Sequence, residues 1–264
     1  MVFAFPGKSA PKQEGRNGAA HLALTSLPLH GSKHAVSRGD DQPPTPKYTP
    51  PTPIPNNPGI VVLLSGKQED LEANWVQAGN HKAPQWRFED GVVIPRGDSI
   101  VSKQEFTDFQ LHVEFRIPFM PNAHGQERGN SGVGLQTMYE IQVLDSYGFK
   151  EPGAGDCGAV YNQSGPLFNA CKPPLEWQTY DITFRAARWD ANGNKIEKAR
   201  VTVIQNGIIV QNNQEINHPT GIGGDKEFNK PAGIILQNHG NEVAFRNVWV
   251  LPLPTQGPTH YDPR

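Results

Sequence analysis

Two glutamates in separate strand-like segments are the side chains of this chain best suited to acid–base chemistry. Glu114 lies in residues 109–117 and Glu140 in residues 139–143, and in both segments apolar and polar residues alternate. Because successive side chains of a strand point to opposite faces, each glutamate is expected on a polar face. If the two strands share a sheet, both carboxyl groups face one groove and shift each other's pKa. Glycosyl transfer needs such a pair, one acid for the leaving oxygen and one base or nucleophile.

Other polar side chains follow the same alternation. They are Arg116, Gln142, Gln237 and His239. Carboxylates, amides, a guanidinium and an imidazole on one sheet face suit a polyhydroxylated ligand such as a sugar, and His239 suits proton transfer near neutral pH. The pattern therefore predicts a carbohydrate-binding groove with Glu114, Glu140 and His239 as catalytic candidates. The alternatives are an ordinary solvated face, a cross-strand ion pair of Arg116, and a histidine that makes only loop hydrogen bonds.

Four further residues are candidates for ligand binding. They are Lys103, Asn130, Asp145 and Tyr161. Asn130 lies in the glycine-flanked residues 129–132, where main-chain and amide groups can approach a ligand closely, unless this is a plain turn. Tyr161 either stacks on a sugar ring or anchors its own loop. Asp145 ends its strand, where it binds ligand, coordinates a cation or caps a turn.

Composition excludes several classes of function. The net charge is −2 and the pI is about 6.5, which predicts neither nucleic-acid nor anionic-membrane binding. No apolar run approaches the ~18 residues of a membrane span. The chain contains no nucleophile elbow, P-loop, zincin, dinucleotide-binding or EF-hand signature. The sequence therefore predicts no particular cofactor, and it does not decide whether a divalent metal ion is needed.

The pattern of short strands predicts an all-β sandwich or jelly roll. The 27 glycines and 25 prolines suit many turns, and about a dozen strand-like segments occur between residues 60 and 254. Asn206 and Gly207 lie between two apolar runs and give the strongest hairpin signal. With no second core in the sequence, residues 60–254 are predicted to form one domain, followed by a C-terminal tail, residues 255–264.

Residues 1–59 are predicted to form a poorly structured, proline-rich tail. Eight of the sixteen residues from Pro43 to Pro58 are proline. Such a segment favours the polyproline II conformation and spans on the order of 50 Å. Residues 43–58 are therefore either a tether to a surface or partner, or part of a disordered leader that has no role beyond solubility or that docks loosely on the domain.

The two cysteines lead to an expectation about the compartment. A bond between Cys157 and Cys171 would close a loop of about 15 residues and add roughly 3 kcal/mol of stability. We expect this disulfide, and with it a secreted or periplasmic protein, although the start of the chain shows no signal peptide. The alternative is a pair of reduced, buried thiols.

A set of motifs, in order along residues 60–254, resembles the 3-keto-disaccharide hydrolase family, long known as a domain of unknown function. The motifs are WRFEDGVV (86–93), SKQEFTDFQLHVEFRIP (102–118), GNSGVGLQ (129–136), YEIQVLDS (139–146), CGAVY (157–161), KPPLEWQTYDI (172–182), NG (206–207) and GIILQNHGNEVAFRNVWV (233–250). Each motif is weak alone, but the set is specific. The resemblance implies a concanavalin-like jelly roll with a sugar-binding sheet.

The resemblance also implies a reaction, the cleavage of glycosides whose C3 hydroxyl is already oxidised to a ketone. Such a reaction needs a base near the C2 hydrogen, an acid near the leaving oxygen and donors for the enolate oxygen. Glu114, Glu140 and His239 are candidates for the acid and base, and Arg116, Asn130, Gln142 and Gln237 for the donors. Two rivals are a glycoside hydrolase of unoxidised glucans and a non-catalytic carbohydrate-binding module.

Overall fold

Two antiparallel β-sheets form the protein, whose structure, a computed structural model, describes residue 45 and residues 48–257. The larger sheet has eight strands. In chain order they are β1 (Val61–Leu64), β3 (Arg87–Glu89), β4 (Val92–Ile94), β6 (Phe109–Arg116), β9 (Trp177–Arg185), β12 (Ala199–Gln205), β13 (Ile208–Ile216) and β15 (Ala244–Pro252). Its spatial order is β13-β12-β9-β6-β15-β4-β3, with β1 also paired to β15.

The smaller sheet has five strands in the order β2-β5-β14-β7-β8. They are β2 (Trp75–Gln77), β5 (Ile100–Ser102), β7 (Ser131–Leu135), β8 (Tyr139–Val143) and β14 (Ile235–Leu236). The remaining elements are a hairpin of β10 (Arg188–Trp189) and β11 (Lys195–Glu197), the short helix α1 (Gln68–Asn74) and a 3-10 turn at Gly125–Glu127. No helix within residues 48–257 is long and apolar enough to cross a membrane.

The core lies between the inner faces of the two sheets. The apolar residues of β6, from Phe109 to Phe115, are at most 1% exposed, as are Tyr139, Ile141 and Val143 of β8. The ring of Tyr139 packs against Phe184 of the larger sheet, with 5.8 Å between their centroids, and so joins the two layers. Alternation therefore directs the apolar residues of both sheets inward and the residues between them outward. The predicted all-β sandwich is confirmed.

The two glutamates lie in different sheets. Glu114 belongs to β6 of the larger sheet and Glu140 to β8 of the smaller one. Since the inner neighbours of each fill the core, the carboxyl groups point outward from opposite layers. The expectation of one groove that contains both is therefore wrong: alternation predicted the face of each strand correctly but cannot assign a strand to a sheet.

The expected disulfide is not formed, because Cys157 and Cys171 are both free, buried thiols. The fold brings the two thiols into hydrogen-bonding contact with each other, and each sulfur has a further partner in the interior. Cys157 Sγ lies 3.2 Å from the Tyr180 hydroxyl, and Cys171 Sγ lies 3.7 Å from the carbonyl oxygen of Leu144. The expectation of an oxidising compartment, which rested on the bond, stays a prediction.

Part of the proline-rich segment contacts the larger sheet. Residues 1–44, 46 and 47 lie outside the described residues, but residues 49–53, which we call the strap, cross the outer face of β6 and β15. Thr52 N–H donates to Glu114 Oε1 at 2.6 Å, and Arg246 Nη2 donates to the carbonyl oxygen of Thr49 at 2.7 Å. This part of the predicted tether is thus attached to the domain.

The β12–β13 hairpin tests the conformational role of glycine. Gly207 has a φ of 83°, and a Cβ added there would meet no atom within 4 Å. Gly207→Ala should therefore lower the free energy of unfolding by about 1 kcal/mol through backbone strain alone. Gly257→Ala is the control, because that position is equally open and has no positive φ. Equal urea midpoints for the two variants would contradict the prediction.

Candidate active site

Glu140 is a buried carboxyl group on the outer face of the smaller sheet. One row of outward positions crosses this sheet through Val76, Val101, Ile235, Gly134 and Glu140. The adjacent row contains Gly132 and Gln142, which are paired directly, and Gln237, whose N–H donates to the carbonyl oxygen of Gly132 at 3.0 Å.

Burial sets the protonation of Glu140. The residue is only 4% exposed, and no described cation forms an ion pair with it. Desolvation of the ionised form raises the pKa of Glu140 to about 7. A carboxyl group in this state gives up and takes back a proton near neutral pH, as general acid–base chemistry requires.

Gln142 lies beside Glu140 and can hydrogen-bond in two amide orientations. In one, its nitrogen donates to Gln126 Oε1 at 2.9 Å. In the other, the nitrogen donates to Glu140 Oε1 at 3.1 Å and to the carbonyl oxygen of Ser131 at 2.9 Å. The second orientation stabilises the ionised carboxylate.

Gly132 makes room for the carboxyl group of Glu140. A Cβ at position 132 would lie 2.3 Å from Glu140 Oε1 and 2.9 Å from its Cδ. Because residue 132 has no side chain, the carboxyl group can lie across strand β7. The glycine of the GNSG motif therefore acts through Glu140 as well as by opening the loop to a ligand.

Gln237 and Asn130 lie near this carboxyl group. Gln237 Oε1 is buried and has no hydrogen-bond donor among the described residues. Asn130 donates through Nδ2 to the carbonyl oxygen of Gln126 at 2.7 Å, and its N–H donates to Asn241 Oδ1 at 2.7 Å. Asn130 therefore joins two loops at one end of the sheet, whereas Gln237 presents an unused acceptor.

The outer face carries three more of the predicted residues. Tyr161 is half-buried, and its N–H donates to the carbonyl oxygen of Glu140 at 3.1 Å. His239 is exposed, two residues beyond Gln237. Lys103 lines a separate cleft of about 470 Å³ with Phe228 and Lys230 among its other walls.

A crossing loop separates Glu140 from that cleft. Ile222 lies within 3.3 Å of a Cβ placed on Gly134, and Gly223 is packed against Thr137 and Ile235. This loop, residues 217–231, thus covers the sheet at Gly134 and Ile235, between Glu140 and the cleft that Lys103 lines. Lys103 directly follows β5, in the same sheet as Glu140, but lines a cleft that does not include Glu140.

Glu114 belongs to a different, closed polar cluster. Its carboxylate accepts from Arg246 Nε at 2.6 Å, Asn247 Nδ2 at 2.9 Å and Thr52 N–H at 2.6 Å. Burial alone would raise the pKa, but these contacts and His112 outweigh burial and lower the pKa of Glu114 to about 2. Glu114 is therefore an ionised structural anion beneath the strap and lies in a different sheet from Glu140.

His112 completes that cluster. Its Nδ1 lies 2.6 Å from Asp181 Oδ1, and its Nε2 lies 3.6 Å from Glu114 Oε1. Burial opposes the charged ring, but the two carboxylates outweigh burial and raise the pKa of His112 to about 9. Arg116 lies on the same outer face, with its guanidinium 5.0 Å from the ring centroid of Trp177. The structure thus separates Arg116 as well as Glu114 from Glu140.

Asp145 is a buried partner of an arginine. Its Oδ2 lies 3.2 Å from Arg128 Nε, and its Oδ1 accepts from the N–H of Tyr147 at 3.3 Å. Of the roles left open for Asp145, the structure shows a cap of the turn that follows β8, combined with an ion pair.

Two contributors to the site were missed in the sequence. Gln126 links Gln142, Asn130 and the carbonyl oxygen of Gly155, to which its Nε2 donates at 2.9 Å. The hydroxyl of Thr220 accepts from the N–H of Glu140 at 2.9 Å. Both lie in loops without periodicity. The polar composition of residues 121–132 was a weak signal for Gln126, and the sequence contained no signal for Thr220.

Neither the sequence nor the geometry assigns a metal. Among residue 45 and residues 48–257, no group of three His, Cys, Asp or Glu side chains is arranged to hold an ion.

Comparison with known proteins identifies the family. Residues 59–251 match the 3-keto-alpha-glucoside-1,2-lyase-like domain. The chain belongs to this family. The resemblance inferred from the ordered motifs is therefore confirmed, and the family domain contains Glu140, Gln142 and Gln237.

Two solved structures are similar to this lyase-like domain. One is a "putative glycosyl hydrolase" from Parabacteroides distasonis ATCC 8503 at 2.13 Å resolution, with 34% identity, a TM-score of 0.67 and coverage of 87% of this chain and 100% of that one. A second protein of the same description and organism, at 1.70 Å, has 20% identity, a TM-score of 0.55 and coverage of 74% and 94%, and shows the fold alone. No protein with a curated description matches the chain.

Replacing either glutamate by glutamine should change the free energy of unfolding, in opposite directions for Glu140 and Glu114. The pKa of Glu140 is raised in the folded state, so between about pH 4.5 and 7 the folded protein keeps a proton that the unfolded chain releases. The free energy of unfolding therefore falls as pH rises through this range. Glu140→Gln should therefore raise the free energy of unfolding at pH 8, by up to about 3 kcal/mol, and have little effect at pH 5. Urea unfolding at the two pH values measures this difference.

Glu114→Gln is the matched control. The lowered pKa of Glu114 means that its stabilisation is present above pH 4.5 and is lost only as pH falls toward 2. This variant should be destabilised at both pH 5 and pH 8. A Glu140→Gln variant that is also destabilised at pH 8 would show that Glu140 is a satisfied structural group.

Proposed function

We propose that this protein cleaves glycosides that carry a ketone at C3, by elimination across C1 and C2, with Glu140 as the base. The observation that carries the proposal is the buried Glu140 carboxyl group, whose pKa is raised to about 7 without any cationic partner among the described residues. The family name, which refers to a 3-keto-alpha-glucoside-1,2-lyase, and the glycosyl hydrolase description of the 34%-identical structure support a glycoside substrate.

The reaction needs few protein groups. The C3 ketone acidifies the hydrogen at C2, so the ionised Glu140 takes that proton while the C2–H electron pair forms the enolate, with its charge on the C3 oxygen. The enolate then collapses, the C1–O bond breaks, and the leaving oxygen takes up a proton. Addition of water across the C1–C2 double bond completes a net hydrolysis.

Glu140 is suited to the first step because of its desolvation. An ordinary surface glutamate is too weak a base, whereas a carboxylate that is destabilised by burial gains more on protonation. Gly132 lets the carboxyl group lie across β7, and Gln142 in its second orientation donates to it. These contacts orient the base without the cation that would lower its pKa.

Gln237 and Gln142 are the proposed partners of the substrate oxygens. The buried Oε1 of Gln237 lacks a donor, and a sugar hydroxyl would supply one. In the amide orientation that places its nitrogen 3.1 Å from Glu140 Oε1, Gln142 is the proposed donor to the enolate oxygen. His239, exposed beyond Gln237, is the proposed acid for the leaving oxygen.

The proposed reaction predicts which sugar is cleaved and how much activity depends on Glu140. Product should be released from a 3-keto-disaccharide and not from its unoxidised parent, with an apparent pKa of about 7 below which the rate falls. Glu140→Gln should lose at least about 100-fold in kcat, the lower range for one acid–base group. Glu114→Gln is the control and should keep kcat under conditions in which it is folded.

The outcomes separate the rivals. Release from the parent sugar would instead indicate an ordinary glycosidase, and binding without release from either sugar would indicate a carbohydrate-binding module. Assays run with and without added divalent metal, and with a chelator, show whether an ion contributes.

The second prediction concerns Gln237. Gln237→Met keeps the length of the side chain but removes the acceptor, and should lower kcat/KM for the keto-sugar about tenfold, the value of one hydrogen bond. Because Glu140 is untouched, the pH profile of kcat should stay in place. An unchanged kcat/KM would exclude Gln237 from substrate binding.

A further inference from the structure

The outer face of the larger sheet binds the strap through its main chain. Thr52 N–H donates to Glu114 Oε1 at 2.6 Å, and the carbonyl oxygen of Thr52 accepts from Asn247 Nδ2 at 2.8 Å. The carbonyl oxygen of Thr49 accepts from Arg246 Nη2 at 2.7 Å. Since three of the five strap residues are proline, Thr52 offers one of only two N–H groups in the strap.

The receiving side chains hold one another in place. Glu114 Oε2 accepts from Arg246 Nε at 2.6 Å, and Asn247 Nδ2 also donates to Glu114 Oε1 at 2.9 Å. The Arg246 guanidinium lies 3.9 Å from the ring centroid of Trp177. Asn247, with a φ of 49°, occupies a bulge of β15, so both of these consecutive residues reach Glu114. Proline-rich peptides are usually bound by surfaces that combine aromatic rings with polar groups, and this face contains both.

The sequence contains the docked motif twice. Residues 50–53 read Pro-Pro-Thr-Pro, and residues 43–46 read the same, seven residues earlier. Thr45 thus corresponds to Thr52, and Gln42 corresponds to Thr49. Because the strap is held through its main chain, and Gln42 need supply only a carbonyl oxygen, a shift of seven residues keeps all three contacts.

We propose that the face formed by Glu114, Arg246 and Asn247 is a docking site for the sequence Pro-Pro-Thr-Pro, and that the tail of this chain occupies it in two registers. Docking through residues 43–46 lengthens the connection to β1 from seven residues, 54–60, to fourteen, 47–60, which is a doubling. The loop-closure entropy then favours the register of residues 50–53 by a factor of roughly two to three. The tail beyond the docked motif is correspondingly seven residues longer in the favoured register.

Removal of the Thr52 N–H, which donates to Glu114, tests whether the tail binds in two registers. Thr52→Pro removes the donor to Glu114 in the present register, so the tail should shift, and the Thr45 amide should become protected from hydrogen exchange. Amide exchange of the full chain, labelled with 15N-threonine, measures both positions. Thr45→Pro is the matched control and should leave the Thr52 amide protected.

The outcomes are distinct. Protection of Thr45 in Thr52→Pro, and its loss in the double variant, is the expected result. A Thr45 amide that stays unprotected in a Thr52→Pro protein with a native near-UV spectrum would overturn the two-register proposal.

A peptide added in trans tests the docking site without any substitution. The peptide DQPPTPK, which repeats residues 41–47, should compete with the strap and accelerate exchange of the Thr52 amide in the wild-type chain. The peptide DQPPPPK, which lacks the threonine N–H, should have no such effect. Equal effects of the two peptides, or none from either, would contradict recognition of this motif.

Discussion

The packing of the two sheets against each other is the constraint on which the other features depend. Each strand gives alternate apolar side chains to the layer between the sheets, and rings such as Tyr139 and Phe184 meet there. Every polar residue between them must then point outward, from one side of the sandwich or the other. The fold therefore has two separate polar surfaces, and a residue's sheet decides which of them it can join.

The two surfaces solve the problem of a buried carboxylate in opposite ways. Glu114 is surrounded by donors, so desolvation is offset and the ionised form is favoured. Glu140 is nearly as buried but has only an amide beside it, so the ionised form is disfavoured. A group that costs stability when ionised is expected where reactivity is needed, since a fully satisfied carboxylate has little tendency to accept a proton. The contrast between two residues of the same type is the basis of the proposal that Glu140 is catalytic and Glu114 is structural.

The sequence predicted local features better than it predicted their assembly. Alternation correctly placed Glu140 and Gln142 outward from β8, and the ordered motifs identified the family. It also placed Glu114 and Arg116 outward from β6, but nothing in a strand's own pattern states which sheet it joins. Gln126 and Thr220 could not be found by periodicity, because they reach the site from loops and act by hydrogen bonds that depend on the assembled fold. The cysteine spacing allowed a disulfide, and the two thiols do lie in hydrogen-bonding contact with each other, but both are free.

Glycine in β7 connects the backbone to the chemistry. At position 132 the missing side chain is replaced by the carboxyl group of Glu140, and at position 134 it is replaced by Ile222 from the crossing loop. These two outward glycine positions of β7 therefore make room for the Glu140 carboxyl group and for the Ile222 side chain. A side chain at either position would lift its neighbour off the sheet and admit water, and hydration would return the pKa of Glu140 toward its ordinary value. The pKa of the Glu140 carboxyl group is thus set by how closely neighbouring groups can approach glycine positions of β7, as well as by the residue itself.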